Sequence, residues 1–290
     1  MKLPTYLNPN KTRTGKSTIQ KIVPLDFFSW NNVTISKHIE STVPYFYHYF
    51  LPVQSYKEVV LEETRANIKY IMVSLPHSIR QSFLLSNLNK KTRQFLYLES
   101  FKFLIRTAKI MNLHNIVHFN ISNDSIIFIR ERPYLQDFTQ SFLSNGETPL
   151  WIFEKYQPHL TNRCPSWHLA CYLQKNKLKN ITMNAIEYVL QEYIDAASKY
   201  KLNEDFWIKF YDVWYGNLQK FFNKSDLDLR RLCIEESKFW DIYSLSFLYL
   251  QHIDDFSDNI FIQKFINFLK KNILFEDNVE NRFTCIFHEI

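Results

Sequence analysis

The run from Thr92 to Thr139 constrains the fold more than any other part of this chain. Apolar residues at Phe95, Leu96, Leu98, Phe101, Phe103, Leu104 and Ala108 recur with the period of a buried helix across Thr92–Met111. That pattern leads into His114-Asn115-Ile116-Val117-His118-Phe119-Asn120-Ile121-Ser122-Asn123-Asp124-Ser125. Two short β-rich runs follow, 126–129 and 134–136, with Glu131-Arg132-Pro133 as the expected turn between them. Asp137-Phe138-Thr139 closes the segment. The order is therefore a long helix, a polar loop, a β-ribbon and an Asp-Phe pair.

Composition allows a large core around this segment. Hydrophobic residues make up 46% of the 290 and charged residues 22%, which fits one large domain or two closely packed lobes. A formal charge of +6, with no long Lys/Arg block, reads as a mildly basic surface and not as a specific nucleic-acid arm. Cys164, Cys171, Cys233 and Cys285 are too scattered for a disulfide framework and are expected to be free thiols in a reducing compartment. Cys164 and Cys171 lie seven apart, which is not a usual zinc-site spacing, and a metal cluster of His159, His168 and Cys164 is a minor alternative to structural roles. No apolar run reaches the roughly 20 residues a membrane helix needs, and Met1-Lys2-Leu3-Pro4-Thr5 has no apolar signal region.

Along the chain, residues 1 to about 78 read as mixed. Strands are expected at Thr18–Val23, Tyr45–Phe50, Tyr56–Glu62 and Ile68–Leu75, and a helix at Asn31–Thr42 with Val33, Ile35 and Ile39 apolar. The Tyr45–Phe50 aromatics resemble a base-stacking platform but are explained more simply by strand packing. Residues 139–165 read as irregular. Helices are expected at about 166–176, 181–200, 204–222, 226–234, 236–251 and 257–272, with starts near Thr182 and Asp258.

Ile116, Val117, His118, Ile121, Ile126, Leu135, Asp137, Phe138 and Ser141 match the pattern I-V-H-x-D-I-x-x-x-N-I, strand, x-L-x-D-F-x-x-S. On these residues the chain resembles the protein-kinase superfamily, in particular the divergent kinase-like proteins of large DNA viruses. Further on, Tyr156-Gln157-Pro158-His159 stands like A-P-E with His159 in place of Glu. Trp167–Leu173 resembles the D-x-W-S-L-G-x-x-L helix, with Pro165 where the anchoring Asp would be. The resemblance implies an α+β, protein-kinase-like two-lobed fold, with a reduced N-terminal β lobe over 1–78 and a helical C-terminal lobe over 79–290.

The same resemblance assigns roles and shows which are degraded. A kinase needs a catalytic-loop Asp, metal-binding Asn and D-F-G Asp residues, and a strand Lys paired with a helix Glu. Asn120 takes the place of the loop Asp, and a neutral amide is not a useful base near pH 7. Ser122 stands at the phosphate-steadying Lys and Ser125 at the metal-binding Asn. Asp124 is the adjacent acidic substitute. Asp137 corresponds to the metal-binding Asp, Phe138 to the packing Phe and Thr139 to the Gly, which restricts the backbone there. His118 corresponds to a structural histidine that bonds backbone near the Asp-Phe turn. Lys21 in Thr18-Ile19-Gln20-Lys21 corresponds to the ATP-phosphate lysine, but Asn32 replaces its helix Glu partner, and Glu40 lies two turns too late. Gly15 is the sole glycine before Gly146, so the phosphate-covering loop is missing or rebuilt. Gly15-Lys16-Ser17-Thr18 is no P-loop, because Asn10 stands where its first Gly belongs.

The resemblance therefore implies a catalytically impaired pseudokinase, a scaffold or decoy for a host or viral protein. It would act in host cytoplasm or virion with no cofactor, no membrane and no specific nucleic acid. The alternatives are a kinase-like switch that holds ATP and Mg²⁺ through Lys21 and Asp137, and a weak Ser/Thr protein kinase.

Overall fold

Asp26 starts the first helix through a capping box: its carboxylate accepts from the Ser29 amide at 2.8 Å, and Ser29 Oγ accepts from the Asp26 amide at 3.0 Å. In the computed structural model this helix, α1, spans Phe27–Thr42, four residues earlier than the apolar spacing suggests. Residues 7–11, 17–59, 70–76, 90–129, 131–146, 149–200, 202–252 and 260–275 are described. The fold is mixed α+β, with small sheets and a helical C-terminal part. It divides into two compact units, Met1–Phe142 and Leu143–Ile290. The boundary expected at 78/79 lies outside the described residues.

In the first unit, β1 (Leu7–Lys11), β2 (Ser17–Pro24), β3 (Ser55–Val59) and β4 (Tyr70–Pro76) form an antiparallel sheet in the order β1-β2-β4-β3. Val23 lies opposite Ile71, and Lys21 opposite Val73. These odd-numbered residues share one face, because side chains alternate along a strand. Val33 of α1 packs there with Val53, Ile71 and Val73. The Val53 amide donates to buried Ser36 Oγ of α1 at 3.0 Å, which ties the helix to the chain just before β3.

The expected strand Tyr45–Phe50 is instead a turn of 3₁₀ helix, Phe46–His48. Aromatic β-propensity loses here to chain direction. Pro44 follows the helix, Tyr45 adopts a left-handed φ of 54°, and the chain doubles back. Tyr49 and Leu51 then bond the strand that ends at Leu135: the Leu51 amide donates to Leu135 O at 2.8 Å and the Leu135 amide to Tyr49 O at 3.1 Å.

The long helix α2 spans Lys90–Leu113, and β5 is the short run Ile116–Val117. The ribbon is β6 (Ile126–Ile129) with β7 (Arg132–Leu135), and β8 (Phe142–Leu143) straddles the division. Ile129 pairs with Arg132, and Glu131 just before it takes a left-handed φ of 65°. Arg132 and Pro133 thus belong to the strand and not to the expected turn. Arg132 lays its guanidinium 4.6 Å from the Phe103 ring of α2, a cation–π contact that helps hold ribbon to helix.

The second unit is helical: α3 (Pro165–Lys175), α4 (Met183–Ala197), α5 (Glu204–Gln219), α6 (Asp226–Glu236), α7 (Trp240–Gln251) and α8 (Ile260–Leu274). Thr182, Asn203 and Ser225 cap α4, α5 and α6 through their side-chain oxygens. The expected 236–251 helix is broken into a 3₁₀ turn, Ser237–Phe239, and α7. Asp258 lies outside the described residues. Every residue from Trp240 to Leu250 is buried, which makes α7 the axis of this unit. Its hydroxyls are satisfied inside: Ser244 Oγ donates to Asn162 O at 2.7 Å, and Tyr243 shares a hydrogen bond with Tyr193. Among the described residues, no helix is long and apolar enough to cross a membrane.

His168 of α3 is fully buried, with Nε2 3.2 Å from Leu160 O, and burial pushes its pKa down to about 3. The unfolded imidazole protonates near pH 6.5. The unfolded state therefore takes up a proton first as pH falls, and stability that is whole above 6.5 is lost between 6.5 and about 3. Urea unfolding at pH 7 and pH 5 should show the parent losing about 2 kcal/mol more than His168→Gln, which keeps a donor but does not titrate. Equal losses would contradict a neutral buried His168.

Candidate functional site

The polar loop, the end of the ribbon and the Asp-Phe pair meet α1 within the first unit. His118 is completely buried, and its Nε2 lies 3.0 Å from Gln136 O. A carbonyl can only accept, so Nε2 carries the proton. The His118 carbonyl in turn accepts from Ser141 Oγ at 3.1 Å. Its ring lies 5.2 Å from that of Phe138, and Phe50 packs on the same Phe138 at 6.1 Å. His118 thus fastens the residues on both sides of the Asp-Phe pair, as expected of a structural histidine.

Between His118 and the ribbon, the loop closes on itself. Ser125 Oγ accepts from the Ser122 amide at 2.8 Å and donates to Ser122 O at 3.0 Å. Gln136 ties the far side, its amide to Ser125 O at 2.9 Å and its Nε2 to Asp124 O at 3.1 Å. Ser125 is 1% exposed, so its hydroxyl is a buried loop clasp. Asn120 is half-buried at the entrance of this loop.

Asp137 holds a left-handed φ of 64°, a conformation that Asp tolerates better than most residues. Its Oδ1 accepts from Thr139 Oγ1 at 2.8 Å. The rest of the turn is held from α1. Asn31 Nδ2 donates toward Thr139 O at 2.9 Å and Ser141 O at 2.8 Å, with Phe138 O at 3.4 Å. Asn32 Oδ1 accepts from the Phe138 amide at 3.1 Å. Adjacent asparagines thus present a donor and an acceptor to one backbone turn.

Ser122 and Ser125 are therefore clasped to each other and to Gln136, the residue before Asp137, while the Asp137 side chain bonds Thr139 and Asn120 stands at the loop entrance. Lys21 is on β2, exposed, on the sheet face that carries the Val23–Val73 cluster, and it has no ion pair among the described residues. Glu40 is already paired with Lys37 at 2.8 Å. Mg²⁺ needs near-octahedral oxygen ligands, usually carboxylates with phosphates and water. Here Asp137 accepts from Thr139 at one oxygen, Oδ1, Ser125 has its proton and one lone pair in the loop clasp, and Asp124 stands next to Ser125 in the loop. Elsewhere, His168 is sealed in the core while His159 is exposed. Among the described residues no three His, Cys, Asp or Glu side chains gather as a metal group.

Sequence reasoning took Asn32 only as a lost Glu and passed over Asn31. The signal was there: asparagine is a poor helix former, because its side chain competes for backbone bonds, so two in succession inside α1 imply partners outside the helix. No protein-family model matches the chain, and no curated protein matches it.

The two asparagines are separable by isosteric substitution. Asn31→Asp would face three carbonyl oxygens with a carboxylate and should destabilise the chain by roughly 3 kcal/mol in urea unfolding at pH 7. Asn32→Asp keeps its acceptor and should cost less than about 1 kcal/mol. Equal costs would rule out this donor–acceptor assignment.

Proposed function

We propose that this chain is a protein-kinase-like pseudokinase, with a two-lobed kinase-like fold, that acts by binding a host or viral protein in host cytoplasm or virion and not by phosphoryl transfer. The observation that carries the reading is the turn at Asp137: its Oδ1 accepts from Thr139, and the backbone behind it is tied to α1 by Asn31 and Asn32. A helix between a Lys-bearing strand and a hairpin, followed by α2, the His118 loop, the ribbon and an Asp-Phe pair, supports the kinase-like part. Asn120 for the base and Ser125 for the second metal ligand support the inactive part. Phosphoryl transfer depends almost entirely on positioning and on electrostatic stabilisation by such groups. Their combined loss removes several kcal/mol of transition-state stabilisation. A turn cross-linked in this way suits a fixed docking platform, because no flipping segment has to be ordered when a partner binds.

One observation favours a second reading, the nucleotide-binding switch. Lys21 is exposed on the α1-facing side of the sheet, free to meet a phosphate. Thermal-shift titration with millimolar ATP and Mg²⁺ or Mn²⁺ separates the two, since a ligand that binds only the folded state raises the melting temperature by mass action. The proposal predicts no shift. A shift abolished by Lys21→Ala would replace it with the switch. Phosphate transfer lost in Asp137→Ala would replace it with a weak Ser/Thr kinase.

A further inference from the structure

The exposed face of α4 carries an arrangement that the proposed function does not use. Asn184, Glu187, Tyr188, Gln191 and Asp195 point outward on this amphipathic helix, with Glu192 at their edge. Tyrosines flank the face on both sides. Toward α3, the Tyr188 ring lies 5.1 Å from Tyr172, which lies 5.4 Å from Tyr156. Toward α5, Tyr211 and Tyr215 stack at 5.6 Å with their planes 15° apart. The neighbouring carboxylates meet phenols and not cations. Tyr156 OH is 3.5 Å from Glu192 Oε2, and Tyr215 OH is 3.4 Å from Glu187 Oε1. The hydrogen bond that the Tyr188 phenol donates to Glu192 also holds it above its ordinary pKa.

In a chain of net charge +6, Glu187, Glu192 and Asp195 form no ion pair among the described residues. One ring of the group already seats an ammonium: Lys175 Nζ stands 5.4 Å from the centre of Tyr156. Rings that accept a cation on their faces, next to carboxylates with no basic partner, match the two recognition surfaces of a guanidinium, which stacks flat and bonds carboxylates in pairs. Tyrosine also brings contact area at low conformational cost, which is why it is enriched at interfaces. The carboxylates repel nucleic-acid phosphates and anionic lipid headgroups, so charge complementarity selects a basic protein segment.

We propose that this tyrosine-flanked face of α4 docks an arginine-rich segment of a partner protein. The inference is independent of the nucleotide question, because all of its residues lie in the unit Leu143–Ile290.

Fluorescence anisotropy of the full chain with a labelled Arg/Gly/Ser peptide tests it, with Lys and Glu counterparts as comparisons. The Arg peptide should bind, the Lys peptide several-fold more weakly, and the Glu peptide not at all. Binding should weaken as salt rises. Tyr188→Ala with Glu192→Gln should weaken the Arg peptide by about tenfold or more. Glu187→Gln with Glu192→Gln keeps every ring in place, and should weaken it several-fold with an unchanged melting temperature. Glu204→Gln, on the first turn of α5 outside this face, should leave binding unaltered. Failure of the Arg peptide to bind at millimolar concentration, equal affinity for the Glu peptide, or parent affinity in both double variants would overturn the proposal.

Discussion

The arrangement of the first unit depends on one amide. Asn31 Nδ2 meets the carbonyls of Thr139 and Ser141, and lies near that of Phe138, which also accepts from the Ser141 amide at 3.1 Å. Leaving one such group unsatisfied costs about 1–3 kcal/mol, more than a typical hydrogen bond contributes on its own. Asn32 adds the complementary acceptor for the Phe138 amide. Between them the two side chains over-determine a turn whose first residue, Asp137, is left-handed, and such conformations persist where their surroundings over-determine them. Phe138, placed by this turn, is completely buried against His118 and Phe50. The Phe138 ring thereby joins the His118 loop to the chain that follows the 3₁₀ turn, while its backbone is held by α1.

This geometry gives the proposed loss of catalysis a physical form. A metal-binding aspartate has to present free oxygens and belong to a segment that can adjust to nucleotide. Here Asp137, proposed to stand in that place, closes a local bond with Thr139 through one of its oxygens, and the segment is fastened to α1 on its amide and carbonyl sides. The serine clasp of Ser122 and Ser125 acts alike, turning two positions of the proposed phosphate and metal machinery into a closed loop. On this reading the substitutions did not leave gaps. They exchanged ligand-facing chemistry for internal bonds.

Much of this was legible in the sequence, for identifiable reasons. The apolar period of α2, the β-rich ribbon and the His118 frame are local signals, and each corresponds to an element in place. The C-terminal helices were legible from their period and from caps such as Thr182. Tyr45–Phe50 misled because aromatic content suggests a strand, whereas the path required by the bonds of Tyr49 and Leu51 to Leu135 forces a turn. The ribbon turn was misplaced for a similar reason. Pro133 reads as a breaker, yet register with β6 keeps it in the strand. That Asn31 has partners outside its helix was legible, but which ones was not, because its three acceptors lie more than a hundred residues away. The tyrosine face of α4 escaped notice because its rings come from separate segments that only helix packing brings together.

The most direct measurement of the central claim is native-state hydrogen exchange at the Phe138 amide, with and without millimolar Mg²⁺ and ATP. A turn locked by Asn32 and Asn31 predicts that this amide exchanges only through large-scale opening, with protection near that of the α2 core and unaltered by nucleotide. Exchange at the rate of an open loop, or protection that changes when Mg²⁺ and ATP are added, would contradict the account.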